Sequence, residues 1–157
     1  MKKETLLKES SEKAVDFCRR FAVDEIMKGI REDLDTIRVS FDHYFKESTL
    51  YEKGAVDQAL HFLTGREYLY EKDGALWFRT TSFGDDKDRV VKKSSGEYTY
   101  LAPDIAYHRN KFERGFNELV NLWGPDHHGY VPRLKAACQA LGHRPEQLKI
   151  LIVQLVT

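Results

Sequence analysis

The chain has 157 residues, of which 41% are hydrophobic and 12% aromatic, enough for one core but short for two domains. Lysine plus arginine and aspartate plus glutamate each number 25, so the charge balance gives no reason to expect a polyanionic partner. No apolar run approaches the roughly 18 to 20 residues that cross a membrane, and the first residues do not form a signal peptide. These features predict a soluble, cytoplasmic protein.

The first 65 residues are predicted to be mainly helical. Apolar residues recur every three or four positions over residues 11–35, which predicts one long amphipathic helix. Residues 39–45 alternate between apolar and polar types, which predicts a strand with its apolar side chains inward. Residues 49–52 match a capping box, and a second helix is expected to continue from it to Gly65.

Residues 66–101 are predicted to form a small antiparallel sheet. Apolar and aromatic runs flank Asp73-Gly74, a pair that tolerates the positive φ angles of a tight hairpin turn. Two further runs, at residues 89–93 and 98–101, repeat this pattern around a serine- and glycine-containing turn. Residues 85–88 resemble part of a calcium loop but lack the glycine and terminal glutamate at the required offsets, so we expect residues 83–88 to form a solvated loop.

The last third of the chain is predicted to form a parallel β-α-β unit. Residues 119–123 have the apolar character of a short buried strand, and residues 128–141 have helical spacing up to a terminal glycine. Residues 149–156 are continuously apolar, as in a strand that is covered on both faces. Units of this kind are right-handed and bind ligands at the carboxyl ends of their strands, where residues 123–130 lie. The predicted fold class is α/β.

Tyr100 and Asp104 form the first candidate site. Pro103 is expected to be the first residue of a helix that runs to Gly115, which puts Asp104 in the first turn. Free backbone N–H groups stabilise a carboxylate there, so local sequence favours a simple helix-start acid. The alternative is a carboxylate that pairs with a guanidinium or ammonium ligand and is steadied by the Tyr100 hydroxyl.

The turn after residues 119–123 is the second candidate site. Gly124 allows close backbone approach, while Asp126 and His127 present polar groups at the strand end. A carboxylate in such a turn accepts hydrogen bonds from ribose hydroxyls in nucleotide-binding sheets, or it caps the next helix. Asp126, His127 and His128 also suggest a divalent metal. The other histidines show no ligand spacing, so we expect no tightly bound metal.

Taken together, several segments resemble arginyl-tRNA synthetases of bacterial type. The resemblance is continuous from about Phe17 to Val156, and its clearest parts are residues 69–79, 83–91, 98–108 and 123–130. It implies a class I enzyme with a Rossmann catalytic domain. Such enzymes condense arginine with ATP, which is bound together with Mg²⁺, to form an arginyl adenylate. They then transfer the arginyl group from the adenylate to tRNA(Arg).

The resemblance also implies roles for the candidate residues. Tyr100 and Asp104 would recognise the guanidinium group of arginine, and Gly124 and Asp126 would lie at the adenosine ribose of ATP. His127 falls where class I relatives often use a glutamine near the polar end of the amino acid and the phosphate. The same residue would therefore touch both arginine and ATP, and no residue of this chain is assigned to the catalytic step itself.

The His-x-Gly-His signature and the Lys-Met-Ser-Lys type loop of that family do not occur in this sequence. We therefore predict a partial catalytic domain: a helical and strand segment (1–65), an antiparallel hairpin insertion (66–101) and the second half of a Rossmann fold (102–157). Those signatures stabilise transition-state charge, so the isolated segment is expected to be inactive. It is also expected to self-associate through an exposed sheet edge or apolar faces. The alternatives are a noncatalytic interaction or regulatory module on the same scaffold and, less favoured, a metal-dependent phosphohydrolase.

Overall fold

The computed structural model describes residues 10–154, in two compact units that divide after Phe45. The described residues of the first unit, 10–45, contain one helix, α1 (Ser11–Thr36), whose amino end is capped by the Ser10 side chain. This confirms the predicted amphipathic helix. No residue of α1 is buried, and none of the helices in residues 10–154 is both long and apolar enough to cross a membrane.

The strand predicted at residues 39–45 is absent from this unit. A strand needs a partner whose backbone completes its hydrogen bonds, but the amide of Val39 bonds back to the carbonyl oxygen of Leu34. Phe41, which the alternation placed inward, is 58% exposed. The prediction was wrong because alternation alone does not supply a neighbouring strand.

The second unit begins with two helices, α2 (Ser48–Glu52) and α3 (Ala55–Thr64), separated by Gly54 in the left-handed region at φ 63°. The predicted capping box is not formed. Thr49 lies inside α2, and its hydroxyl donates to the carbonyl oxygen of Lys46 at 2.7 Å. Helix α3 ends at Gly65, as predicted.

A three-stranded antiparallel sheet follows, with strands β1 (Leu69–Lys72), β2 (Ala75–Phe78) and β3 (Arg89–Lys92) in that order. The predicted hairpin turn is confirmed, since Asp73 and Gly74 both have positive φ angles. The fourth predicted strand, at residues 98–101, is reduced to an isolated bridge between Lys92 and Tyr98. The next helix already begins at Leu101, which leaves only Thr99 and Tyr100 after the bridge.

The loop between β2 and β3 corrects another prediction. Asp85, expected to be solvated with the rest of residues 83–88, has a side chain that is only 1% exposed. Arg89 explains this burial, because its Nε and Nη2 atoms donate to the two oxygens of Asp85 at 2.8 and 2.9 Å. A bidentate ion pair satisfies both charges without water.

The rest of the unit alternates helices and strands: α4 (Leu101–Glu113), β4 (Leu119–Trp123), α5 (Val131–Ala140) and β5 (Leu148–Ile152). Strands β4 and β5 pair in parallel, from Leu119 opposite Leu148 to Trp123 opposite Ile152. This confirms the predicted parallel pair and its helix, which Gly142 follows with φ 97°. Helix α4 begins two residues before the predicted start at Pro103.

Within residues 10–154, the parallel pair of strands is covered on one face and open on the other. Leu119 and Leu148 are buried with the core residues of α4 and α5. On the opposite face Val120, Leu122 and Leu151 are 54%, 67% and 53% exposed. The predictions of a buried β4 and of a β5 covered on both faces were therefore wrong within residues 10–154, although the residues themselves are apolar.

Candidate active site

Strand β4 ends at Trp123, and the chain then forms a 3₁₀ turn, Pro125–Tyr130, that leads into α5. The amide of His127 donates to the carbonyl oxygen of Gly124 at 3.2 Å. A Cβ atom at Gly124 would lie 2.8 Å from Oδ1 of Asp126, so the glycine lets that carboxylate fold back over the strand end. Asp126 does not cap α5, since no side chain makes a hydrogen bond at its N-cap.

The polar side chains of this turn are accessible. Nε2 of His127 lies 3.6 Å from Oδ2 of Asp126, and both side chains are more than half exposed. The helix-cap interpretation of Asp126 is thus not supported. The carboxylate remains available to a ligand at the carboxyl end of β4, where sheets of this kind bind nucleotides.

Asp104 lies in the first turn of α4, as predicted, but its side chain makes a contact that the sequence did not suggest. The hydroxyl of Tyr130 donates to Oδ2 of Asp104 at 2.7 Å. Burial is the main cause that raises the pKa of Asp104, and the charge of Glu47 raises it further. The Tyr130 hydrogen bond and the charges of Lys111 and His127 act in the opposite direction.

Tyr100 occupies a different position from the one expected. It is the N-cap residue of α4 and is 89% exposed, and its carbonyl oxygen accepts from the amide of Asp104 at 3.3 Å. Its hydroxyl makes no hydrogen bond with Asp104 in the described part of the chain. Tyr130 takes the steadying role assigned to Tyr100, and sequence reasoning missed it because Tyr130 was counted on the apolar face of the following helix.

Ring contacts bring the two predicted half-sites together. The Trp123 ring centroid lies 5.9 Å from that of Tyr130 and 5.7 Å from that of His127. The hydroxyl of Tyr130 in turn donates a hydrogen bond to Asp104. The guanidinium candidate Asp104 and the ribose candidates in the turn therefore belong to one contiguous site.

A buried polar chain supports α4 against β4. Nδ1 of His108 lies 2.8 Å from the carbonyl oxygen of Asp104, which can only accept, so this nitrogen carries the proton. Nε2 of His108 then accepts from Nδ2 of Asn121 at 2.9 Å, and Oδ1 of Asn121 accepts from Nζ of Lys111 at 3.2 Å. Burial lowers the pKa of His108 to about 4 and also lowers the pKa of Lys111. Sequence periodicity gives no signal for this chain, because it depends on which strand faces the helix.

The same residues border an open groove of about 250 Å³ between α4 and β4, which Asp104, Lys111, Asn121 and Trp123 help to line. Among residues 10–154, no group of three or more histidine, cysteine, aspartate or glutamate side chains is arranged to hold a metal ion. The phosphohydrolase alternative, which needs Asp126, His127 and His128 to converge, therefore has no supporting geometry there.

Comparison with known proteins adds a sequence relationship to this geometry. The family model for the catalytic domain of class I tRNA synthetases (R) matches residues 3–154. The chain is 55% identical over 151 residues to the arginine–tRNA ligase of Oleidesulfovibrio alaskensis, which covers 96% of this chain and 27% of that protein. It is 51% identical over 149 residues to arginine–tRNA ligase 1 of Halalkalibacterium halodurans, again covering 95% of this chain and 27% of the relative.

Solved structures agree with these relationships. A crystal structure described as an arginyl-tRNA synthetase from Campylobacter jejuni superposes with a TM-score of 0.86 at 35% identity, over 99% of this chain and 35% of that one. The arginyl-tRNA synthetase of Thermus thermophilus, at 17% identity and a TM-score of 0.64, shares the fold. The chain thus spans about a quarter of the length of the curated relatives it matches.

Proposed function

Because the chain belongs to the family of class I (R) tRNA synthetase catalytic domains, we propose that it is a segment of an arginine–tRNA ligase that supplies part of the arginine and ATP sites. The segment has the α/β fold of that catalytic domain. In the proposal, β4, α5 and β5 form the second half of its Rossmann fold. The three-stranded sheet β1–β3 is an insertion before it.

The half-buried carboxylate of Asp104 is the observation that carries the proposal. One oxygen accepts from Tyr130 at 2.7 Å, and no other donor among residues 10–154 hydrogen-bonds this carboxylate. An ionised carboxylate in a partly buried site needs a cationic partner. The planar guanidinium of arginine, with donors on two nitrogens, is better suited to a carboxylate than the point charge of an ammonium group.

The remaining candidates are assigned around Asp104. Tyr100, exposed at the N-cap of α4, is proposed to contact the guanidinium from the solvent side. Gly124 and Asp126 are proposed to bind the ribose of ATP, since the glycine leaves room for the carboxylate above the strand end. His127, in ring contact with Trp123, is proposed to lie between the amino acid and the phosphate.

The substrates of the proposed reaction are arginine, ATP and tRNA(Arg), and charging tRNA for translation places the protein in the cytoplasm. Mg²⁺ would accompany ATP. The described residues offer no cluster of ligands for it, and the proposal assigns none of them to the ion. The residues of this chain bind and orient the two small substrates, bringing the carboxylate of arginine to the α-phosphate.

A chimera tests this function, because the chain covers only part of its relatives. The matching 151-residue stretch of the Oleidesulfovibrio alaskensis ligase is replaced by that of this chain, and arginine-dependent ATP–pyrophosphate exchange and tRNA charging are measured. We expect both activities in the chimera and neither in the 157-residue chain alone. A folded chimera that binds no arginine and catalyses no exchange would contradict the proposal and favour a noncatalytic module.

We also propose that the chain alone self-associates through the open face of the parallel sheet. Val120, Leu122 and Leu151 together expose an apolar surface there, and such a surface favours association. Light scattering of the 157-residue chain should show oligomers, and Leu151→Lys should reduce them. Val15→Lys, at another exposed apolar position, in α1, serves as the control. A clean monomer at high concentration contradicts this proposal without affecting the enzymatic one.

A further inference from the structure

We propose that Tyr130 is a positioning residue that fixes the Asp104 carboxylate and thereby couples the binding of arginine to the binding of ATP. The inference rests on the proposed function of the site. It concerns a residue that neither the sequence pattern nor the assigned roles singled out.

The geometry places Tyr130 between the two half-sites. Its hydroxyl donates to Oδ2 of Asp104, a residue 26 positions earlier in the chain and on a different element. Its ring is held on one side by Trp123, at 5.9 Å between centroids, and the Arg133 guanidinium lies 5.5 Å from its centroid. These two neighbours of the ring therefore help to fix the direction of the hydroxyl.

The protonation state of Tyr130 suits this contact at physiological pH. Burial, together with the nearby Asp104 charge, raises the pKa of Tyr130 above its ordinary value. The phenol therefore stays protonated and can donate to the carboxylate. With Oδ2 of Asp104 occupied, the rotation of the carboxylate about its bond is restricted, and Oδ1 is presented in one direction to the guanidinium group.

The coupling follows from the position of Tyr130 in the chain. Tyr130 ends the same 3₁₀ turn that contains Asp126 and His127. A ribose that binds this turn orders its backbone and hence the hydroxyl that holds Asp104. If ATP improves arginine binding in this way, arginine must improve ATP binding by the same factor, because coupling between two sites is reciprocal.

A pH measurement can isolate the Tyr130 contact. The titratable and charged groups that face Asp104 come from two other segments and from its own helix. They are Glu47 and Tyr51 at α2, His127 and Tyr130 in the 3₁₀ turn, and Lys111 in α4. Tyr130→Phe removes one neutral donor and changes no charge in this set. A shift in the titration of Asp104 in this variant is therefore due to the lost hydrogen bond.

The first experiment uses the 157-residue chain and does not depend on its function. The carboxyl ¹³C resonance of Asp104 is titrated by NMR in the unmodified chain, in Tyr130→Phe and in Tyr68→Phe. The Tyr68 control also loses a ring hydroxyl, but its ring packs on Phe83 in the antiparallel-sheet region. We expect the pKa of Asp104 to rise in Tyr130→Phe and to stay constant in Tyr68→Phe. An unchanged pKa in a folded Tyr130→Phe chain overturns the proposal.

The second experiment uses the ligase chimera. A hydrogen bond to a charged group is large enough to change an equilibrium constant by about tenfold. We expect Tyr130→Phe to raise the KM for arginine about tenfold and to reduce the effect of a nonhydrolysable ATP analogue on arginine affinity. An active chimera with unchanged arginine KM and unchanged coupling overturns the inference but leaves the proposed function intact. If the unsubstituted chimera is inactive, the proposed function fails, whereas the NMR titration still decides whether Tyr130 positions Asp104.

Discussion

Replacing Asp104 with asparagine tests whether its negative charge binds arginine or stabilises the fold. Asparagine keeps a side-chain oxygen that can accept from Tyr130, so the contact seen at 2.7 Å can survive. It removes only the negative charge proposed to pair with arginine. Losing one member of a buried, hydrogen-bonded charge pair costs about 2–5 kcal/mol, which corresponds to roughly 30- to 4000-fold in affinity. We expect the KM for arginine in the ligase chimera to rise within this range, with less than about a threefold change for ATP.

The stability of the same variant should move in the other direction. Burial raises the pKa of Asp104 in the folded chain, so the folded state holds its proton more tightly than the unfolded state does. Above the folded pKa, the ionised carboxylate therefore lowers the free energy of unfolding. This loss of stability disappears as the pH falls below the unfolded pKa. Asp104→Asn should unfold at an equal or higher urea concentration than the unmodified chain at pH 7, and the two should converge in acid.

Steady-state pyrophosphate exchange and urea titrations measure these two effects. The combination of a large arginine-specific loss and undiminished stability is expected only if the carboxylate is there for a ligand. Equal losses for arginine and ATP would argue against guanidinium recognition. A clear drop in stability at pH 7 would show that the carboxylate serves the fold instead.

Three further predictions concern other residues. Asp126→Ala should act mainly through the KM for ATP, and an unchanged value contradicts the ribose assignment. His108→Gln should flatten the acid dependence of stability. Burial lowers the pKa of His108 to about 4, so the unfolded chain takes up a proton at this residue before the folded chain does. In the unmodified chain, up to about 3 kcal/mol of the free energy of unfolding is therefore lost as the pH falls from about 6.5 to 4. Urea titrations across that range check this, and an equally steep loss in the variant refutes it. Arg89→Met leaves the buried carboxylate of Asp85 unpaired and should lower the free energy of unfolding by about 3–5 kcal/mol. Lys93→Met breaks an exposed pair and should lower it by less than about 1 kcal/mol. Similar melting temperatures for the two variants would contradict this difference.

Much of the local structure could be predicted because short-range chemistry determines it. Asp73 and Gly74 adopt the positive φ angles that the hairpin requires, and β4 has the predicted bounds. Residues 39–45 and 98–101 show the limit of such patterns. An alternating run becomes a strand only if another backbone lies beside it, and no local sequence contains that information.

The site was predicted in part for the same reason. Asp104 and the turn at Gly124 could be located from their places at a helix start and a strand end. The contacts that join them could not, since the hydrogen bond from Tyr130 and the chain from His108 to Asn121 link residues from different elements. Asp85 was misjudged because its charge is neutralised by Arg89, and charge counts alone do not reveal such pairing.

A crystal structure of the chimera with arginine and a nonhydrolysable ATP analogue is the most direct test of the proposed site. We predict that guanidinium nitrogens of arginine lie within hydrogen-bond distance of the Asp104 carboxylate while Tyr130 still donates to it. The ribose hydroxyls should lie at Asp126. An arginine whose guanidinium group is bound elsewhere, with Asp104 contacted by Tyr130 alone, would contradict the account.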